Sequence, residues 1–231
     1  MSSSTPLSVQ FTAEADDPLV LAPERATALL AGAPWRRFAV LGDSIAAGTG
    51  DPSPGYAPTG WADRVAAHLT SVNPALAYRN TGRIGATSEQ VIDRQLADIL
   101  EFAPDLVHLS CGGNDLFTAG VDIDRLHENL TTILTALAAT DAQLSIFTVA
   151  DVWSVERMAP MRPMRPQMIA LNEVVRAVAA EFDAVLTEFW DHPLRNRPEL
   201  MSADLIHFTT SGHAVVASEM VTSLAALIDR E

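Results

Sequence analysis

The chain has 231 residues, of which 48% are hydrophobic and 19% charged, a composition that predicts one substantial folded domain and excludes extensive disorder. Its formal net charge of −14 at pH 7, without a local cluster of Lys and Arg, argues against a nucleic-acid partner. A single cysteine excludes an intrachain disulfide and a metal site built from cysteines.

The amino-terminal segment holds no recognisable functional motif, and PERATALLAG (23–32) predicts one short helix there. We expect residues 1–34 to form an extension packed on a single domain of residues 35–231. The start of the chain lacks the basic and apolar regions of a secretory signal, and no apolar run approaches the roughly 20 residues that span a bilayer. These features predict a cytoplasmic protein with no membrane partner.

Five β-rich runs alternate with longer helical patterns along the rest of the chain. The predicted strands are 36–42, 76–82, 105–112, 143–150 and 184–190. The predicted helices lie near 60–71, 87–101, 122–139, 166–182 and 210–229. Strands separated by helices of this length predict parallel βαβ crossovers and an α/β/α sandwich. Because ligands bind outside the carboxyl ends of such strands, functional residues are expected just after them.

The first candidate site is GDSIAAG (42–48), which follows the first predicted strand. A serine at a strand-to-helix turn can present its hydroxyl as a nucleophile, provided that a base lies next to it. Two other interpretations are open at this point. Asp43 and Ser44 can simply cap the next helix, or the glycines can bind a phosphate, although neither GxxxxGK[ST] nor GxGxxG occurs here.

Two glycine-containing segments follow the second and third predicted strands: NTGRIGATS (80–88) and SCGGNDL (110–116). A backbone N–H of Gly82 or Gly85 and the side-chain amide of Asn114 are suitable donors for an oxyanion hole. The alternative is structural, since glycines serve βα turns and Asn favours Asx-turns after a strand.

The segment DLIHFTTSGH (204–213) follows the fifth predicted strand. Asp204 can accept a hydrogen bond from Nδ1–H of His207, which leaves Nε2 free to act as a base for a serine. By itself, this pattern is more typical of a surface turn that caps a helix. His213 is predicted to be structural, and His108, within an apolar strand, to be a core residue.

Taken together, these segments resemble the SGNH/GDSL hydrolase superfamily over residues 36–229. The matching blocks are GDS (42–44), RIGATS (83–88), GGND (112–115) and DLIH (204–207). One departure is Ile45, where the family has Leu; both are apolar. The resemblance implies a flavodoxin-like three-layer sandwich with a central five-stranded parallel sheet, in agreement with the fold class read from the elements.

Residue by residue, the resemblance implies Ser44 as nucleophile, His207 as base and Asp204 as the group that orients it. It further implies an oxyanion hole made by the N–H groups of Ser44 and Gly85 and the amide of Asn114. The implied activity is hydrolysis of a small-molecule ester with a small or medium acyl group, by an esterase or deacylase that forms an acyl-enzyme on Ser44, with no metal or organic cofactor.

Several alternatives stay open from the sequence. The same residues can serve an acyltransferase with an alcohol or amine acceptor, and a flavodoxin-like ligand-binding protein is a third reading. Cys111, beside the third block, is interpreted as a small buried hydrophobe rather than a nucleophile. The Met-, Pro- and Arg-rich stretch 151–168, called the flap below, is predicted to be irregular, and its methionines suit either an acyl pocket or plain packing.

Overall fold

The computed structural model describes residues 12–117 and 122–228. Its central sheet contains five parallel strands in the order β2-β1-β3-β4-β5. The strands are β1 (Arg37–Gly42), β2 (Ala77–Asn80), β3 (Leu106–Ser110), β4 (Gln143–Phe147) and β5 (Val185–Thr187). This is the flavodoxin-like order, and the predicted fold class is confirmed.

Helices cover both faces of the sheet. They are α1 (Thr12–Ala15), α2 (Pro23–Leu29), α3 (Trp61–Val72), α4 (Ser88–Val91), α5 (Ala97–Phe102), α6 (Ile123–Ala138), α7 (Arg165–Glu181) and α8 (Thr210–Ile228). Contacts among α2, α3 and α8 form one layer, and contacts of α6 with α4 and α7 form the other. A π-helical turn, Ile92–Leu96, joins α4 to α5.

The five predicted strands are all present. Strand β1 ends at Gly42, as predicted, but the other four end earlier than the sequence indicates. Predicted strand 143–150, for example, ends at Phe147, and predicted strand 184–190 ends at Thr187. Apolar residues continue past these ends because the chain still packs on the core there: Ala150 and Phe189 are both buried. The segments beyond the strands form the loops that line the functional edge of the sheet.

The flap is more regular than the sequence predicts. It contains 3₁₀ segments at Val152–Ser154 and Glu156–Met164, and α7 begins at Arg165. Pro160 and Pro163 lie inside the longer 3₁₀ segment. Proline has no N–H to donate and clashes within an α-helix, which explains why the α-helix starts only after these residues.

The described part of the amino-terminal segment lies against the domain, whereas residues 1–11 are outside the described part. Ala26 and Leu30, in and just after α2, are fully buried. Arg64 of α3 forms an ion pair with Glu14, and Arg197 pairs with Asp17. The division of the chain at residue 34 stays a prediction.

Helix α8 forms a longer apolar segment than the sequence analysis expects anywhere in the chain. It is the one described helix that is long and apolar enough to cross a bilayer, by length and composition only. However, 67% of its most apolar window is buried inside the protein, where it packs on α2, α3 and β5. Its apolar composition is thus explained by burial in the core.

Candidate active site

Ser44, His207 and Asp204 form a continuous hydrogen-bonded chain. The Oγ atom of Ser44 lies 2.7 Å from Nε2 of His207, and Nδ1 of His207 lies 2.6 Å from Oδ2 of Asp204. With Nδ1 donating to the carboxylate, Nε2 holds the lone pair that accepts from the serine hydroxyl. The structure brings together the three residues that the sequence singles out.

The turn after β1 holds Ser44 in place through its neighbours. Gly42 adopts φ +142°, and a Cβ atom there would lie 1.9 Å from the carbonyl oxygen of Ser110. The N–H of Asp43 donates to that same carbonyl over 2.9 Å, and its Oδ1 accepts from the N–H of Ile45 at 2.8 Å. Glycine is therefore required at position 42 for the turn to approach β3 this closely.

Gln95 is a supporting residue that the sequence analysis missed. It lies in the π-helical turn and is 1% exposed. Its Nε2 donates to the carbonyl of Gly42 over 2.8 Å, and its Oε1 accepts from the N–H of Gly42 at 2.9 Å. Gln95 lies four residues after Val91 and four before Ile99, both fully buried, and a polar residue in this spacing is the signal that could have revealed it.

The turn that carries Asp204 and His207 is fixed by backbone hydrogen bonds. Oδ1 of Asp204 accepts from the N–H groups of Ile206 and His207 at 2.9 and 3.1 Å. Leu205, between them, adopts φ +61°. Partial burial raises the pKa of Asp204, but the hydrogen bonds from the His207 ring and from these two N–H groups outweigh it and lower the pKa. Asp204 is therefore held as an anion beside His207.

A second pair missed in the sequence, Asp51 and Ser202, joins the two loops of the triad. Oδ2 of Asp51 accepts from the N–H of Ala203 at 2.7 Å, and the N–H of Asp51 donates to Oγ of Ser202 over 2.8 Å. The carbonyl of Asp51 also accepts from the N–H of Thr210. These bonds tie the segment after the nucleophile to the segments flanking the Asp–His turn. No local motif distinguishes this pair in the sequence.

The candidate oxyanion donors lie at the ends of β1, β2 and β3. Asn114 uses one amide hydrogen of Nδ2 for the carbonyl of Ala86, 3.0 Å away, which leaves the other hydrogen for a ligand. The N–H of Gly82 donates to Oδ1 of Asn80, and a Cβ atom there would lie 2.5 Å from the nitrogen of Ala47.

Gly85 differs from Gly82 both in the space around its Cα atom and in the hydrogen bonding of its N–H group. It adopts φ +77°, and open space lies where a side chain would stand. Within residues 12–117 and 122–228, neither the N–H of Gly85 nor that of Ser44 has a hydrogen-bond acceptor. The geometry thus leaves Gly85, rather than Gly82, with a donor free for a ligand.

Two buried groups beside Ser44 have raised pKa values. Burial raises the pKa of Asp43 to about 7, and the negative charge of Asp115 acts in the same direction. The hydrogen bond from the N–H of Ile45 and the charge of His207 act in the opposite direction. Burial, with the negative charges of Asp43 and Asp115, raises the pKa of the Cys111 thiol well above its ordinary value. Cys111 is thus a protonated, buried thiol rather than a nucleophile, in line with its interpretation as a small hydrophobe.

Three other histidines, His108, His192 and His213, are wholly or largely buried away from the triad. His108 is fully buried, bonds Oγ of Ser145 through Nδ1, and has its pKa lowered by burial to about 3; its prediction as a core residue is confirmed. His213 is also fully buried and donates from Nε2 to the carbonyl of Thr49. The side chain of His192 is 13% exposed, and its Nε2 lies 3.2 Å from a Glu219 carboxylate oxygen. In the described parts of the chain, no group of three or more His, Cys, Asp or Glu could hold a metal ion.

A cavity of about 130 Å³ opens beside Ser44. It extends past the carboxyl ends of β3 and β4 and is covered by the flap and by one face of α7. Four methionines line it: Met158, Met161, Met168 and Met201. Met168 both packs in the core and lines the cavity. Met164 is not part of the cavity lining and only packs against the core.

The sequence of residues 40–215 matches the profile of the GDSL-like Lipase/Acylhydrolase family. The chain belongs to this family. Among solved structures, it is similar to TesA, with 24% identity and a TM-score of 0.67 over 83% of this chain and 99% of that one. It is also similar to Axe2, an acetylxylan esterase from Geobacillus stearothermophilus, with 21% identity and a TM-score of 0.65 over 84% and 94% of the two chains.

A lipase/acylhydrolase from Enterococcus faecalis is similar to the same degree, with 24% identity and a TM-score of 0.65 over 83% of this chain and 96% of that chain. No curated protein matches the sequence. At these identities the structural likeness shows the fold, and the family match adds that the protein is of the ester-hydrolysing class.

Proposed function

We propose that this protein is a serine esterase that cleaves a carboxylic ester through an acyl-enzyme on Ser44. The observation that carries the proposal is the unbroken hydrogen-bonded chain from Ser44 Oγ through His207 to Asp204. This chain meets an apolar cavity at the serine, so an acyl group bound there would present its carbonyl carbon to Oγ.

In the first half of the reaction, Oγ of Ser44 attacks the carbonyl carbon while Nε2 of His207 takes the hydroxyl proton. The negative charge of Asp204 stabilises the imidazolium that forms. The carbonyl oxygen, now an oxyanion, accepts hydrogen bonds from the N–H groups of Ser44 and Gly85 and from the amide of Asn114. Collapse breaks the bond to the alkoxide, which leaves as the alcohol with the proton from His207.

In the second half, His207 takes a proton from water as the water oxygen attacks the acyl-enzyme carbonyl. The same donors hold the second oxyanion, and its collapse releases the carboxylic acid. Ser44 recovers its proton from His207, so the enzyme returns to its starting state. On the enzyme, each proton transfer uses only Ser44 and His207, which the hydrogen-bonded chain already joins.

Turnover of p-nitrophenyl butanoate by the wild type and by Ser44→Ala tests the proposal. We expect kcat/KM to fall by roughly 10³-fold or more in the variant. Ser218→Ala is a matched control, since Ser44 and Ser218 are equally buried at 5% exposure. The hydroxyl of Ser218 bonds the N–H of Leu21 and the carbonyl of Ala214, away from the cavity. Equal turnover by wild type and Ser44→Ala would refute the proposal.

A further inference from the structure

The cavity beside Ser44 reaches far beyond the atoms that ester cleavage involves. It begins at Ser44, after β1, and ends among Ile146 of β4 and Leu171 and Val175 of α7, all three buried. Strand β3 lies between β1 and β4, so the two ends are separated by two strand spacings, about 10 Å. A cavity of this depth extends from the scissile carbonyl toward the interior of the domain.

The far end of the cavity offers no hydrogen bond to a ligand. Asn172 lines it, but this residue is fully buried; its Oδ1 accepts from the N–H of Val149 at 2.8 Å and its Nδ2 donates to the carbonyl of Val149 over 2.9 Å. The hydroxyl of Thr148 donates to Glu188 and accepts from the N–H of Phe189. The indole nitrogen of Trp153, which has no partner among the described residues, is itself covered. A ligand there would therefore contact carbon and sulfur atoms.

We propose that this cavity binds the alkyl chain of a medium-length acyl group and that Val175 limits the length of that chain. The inference rests on the proposed function, because it places the ester carbonyl at Ser44. A dry apolar cavity of roughly 150 Å³ holds the six carbons of benzene. The cavity here, of about 130 Å³, therefore suits an acyl chain of about six to eight carbons, because the first carbons of the chain lie at the open mouth.

The walls suit a flexible chain of this kind. Methionine side chains are unbranched and polarizable, and they adapt to irregular apolar ligands. Phe117 and Ile206, 47% and 46% exposed, line the mouth, where the first carbons of a longer alcohol or acyl chain would pass. An acetyl group would leave most of this surface empty. We therefore infer a substrate class different from the acetylated xylan named for the neighbour Axe2.

Burial of each further methylene favours the transition state by about fourfold in kcat/KM, until the cavity is full. Val175 lies three to four residues along α7 from Leu171 and Asn172, on the helix face that lines the cavity. Val174, its neighbour in sequence, is also buried but lies outside the cavity lining. The two valines thus form a matched pair for substitution.

The experiment measures kcat/KM for p-nitrophenyl esters from acetate to decanoate, below their micellar concentrations, with Ser44→Ala in parallel. For the wild type we expect a rise from acetate to an optimum at hexanoate or octanoate. Val175→Phe should lower the octanoate-to-butanoate ratio by about tenfold or more, and Val175→Ala should raise the decanoate-to-hexanoate ratio severalfold. Val174→Ala should change neither ratio by more than about twofold.

Each contrary outcome has a distinct meaning. Turnover that depends on Ser44 but is highest on acetate, or ratios that move equally in Val174→Ala and Val175→Ala, would overturn the inference and leave the proposed function intact. Turnover that does not depend on Ser44 would overturn the proposed function itself. If Val175→Phe does not fold, Val175→Ala still decides the matter, since it only removes two methyl groups.

Discussion

The loops that carry the triad and the flap that covers the cavity are built by different forces. Residues 42–51 and 201–210 are joined by hydrogen bonds to backbone groups, such as those of Asp51 with Ala203 and Thr210. The flap packs through apolar side chains, with Met158 only 1% exposed. Arginine side chains also hold it: Arg165 pairs with Asp151, and Arg157 donates to the carbonyl of Ser202. The hydrogen bonds of the first region position the reacting atoms, whereas the flap supplies much of the apolar lining of the cavity.

This difference implies that few residue types are tolerated at the triad loops, while many apolar ones would be tolerated in the flap. Substitutions in the loops should therefore change the rate of chemistry. Substitutions in the cavity wall should change which acyl group is preferred. The variants below, ordered from the largest expected effect, test this separation.

The largest effect is expected for His207→Gln. Glutamine has no basic nitrogen, so Ser44 would lose the group that takes its proton, and kcat/KM should fall by roughly 10³-fold or more. His192→Gln is a matched control, because the His192 and His207 side chains are 13% and 12% exposed. Steady-state hydrolysis of p-nitrophenyl hexanoate measures both. Comparable losses in the two variants would mean that His207 acts only in packing.

Asn114→Ala should have the next largest effect. Loss of one oxyanion donor lowers kcat by about 10²–10³-fold and leaves KM nearly unchanged, since the donor acts on charge formed in the transition state. Asn73→Ala serves as the control, because its amide donates to the carbonyl of Trp35, away from the cavity lining. A rise in KM with unchanged kcat would instead assign Asn114 to ground-state binding.

Gln95→Leu should weaken both stability and rate. It leaves the N–H of Gly42 without its acceptor in the core, while the carbonyl of Gly42 keeps the N–H of Arg83 as a donor, at a cost of about 1–3 kcal/mol in the free energy of unfolding. We expect kcat to fall about tenfold as the turn before Ser44 loosens. Urea unfolding and steady-state kinetics check the two effects. Gln143→Leu, at the amino end of β4, should change stability by less than about 1 kcal/mol and leave kcat unaltered.

The smallest effect is expected for Asp43→Asn, and it depends on pH. In the folded protein burial raises the pKa of Asp43 from 3.8 to about 7, so the folded state holds a proton between these values that the unfolded state has lost. This contribution to stability is complete below pH 3.8 and is lost as the pH rises to about 7.

Asn at position 43 carries no such proton. The free energy of unfolding of Asp43→Asn, relative to wild type, should therefore increase by about 1–3 kcal/mol between pH 4 and pH 8. Chemical denaturation at both pH values measures the change. A difference between the two proteins that is the same at pH 4 and pH 8 would contradict the raised pKa.

The order of strands and helices, and the position of Ser44, Asn114, Asp204 and His207 at strand ends, are predictable from the sequence. Buried parallel strands read as short apolar runs, and reactive residues stand where those runs end. The supporting contacts are not predictable in the same way. Asp51 and Ser202 are 151 residues apart, and only the folded chain brings them within 2.8 Å.

The cavity is also beyond the reach of the sequence, for a different reason. Its lining combines residues from three strand ends, the flap and α7, and an apolar residue in any of these reads equally as core. The prolines of the flap indicate irregular structure without revealing that the chain forms 3₁₀ turns over the cavity. Of the supporting residues, only Gln95 could have been recognised from its local sequence, because it is a polar residue on an apolar helix face.

The most direct test of the central claim is the site and rate of labelling by a fluorophosphonate. Intact mass and peptide mapping should show one adduct, on Ser44, in the wild-type protein. In His207→Gln the same adduct should form at least about 10²-fold more slowly, because the hydroxyl lacks its base. An adduct on another residue, such as Ser110 or Cys111, or equal labelling rates in the two proteins, would contradict the account.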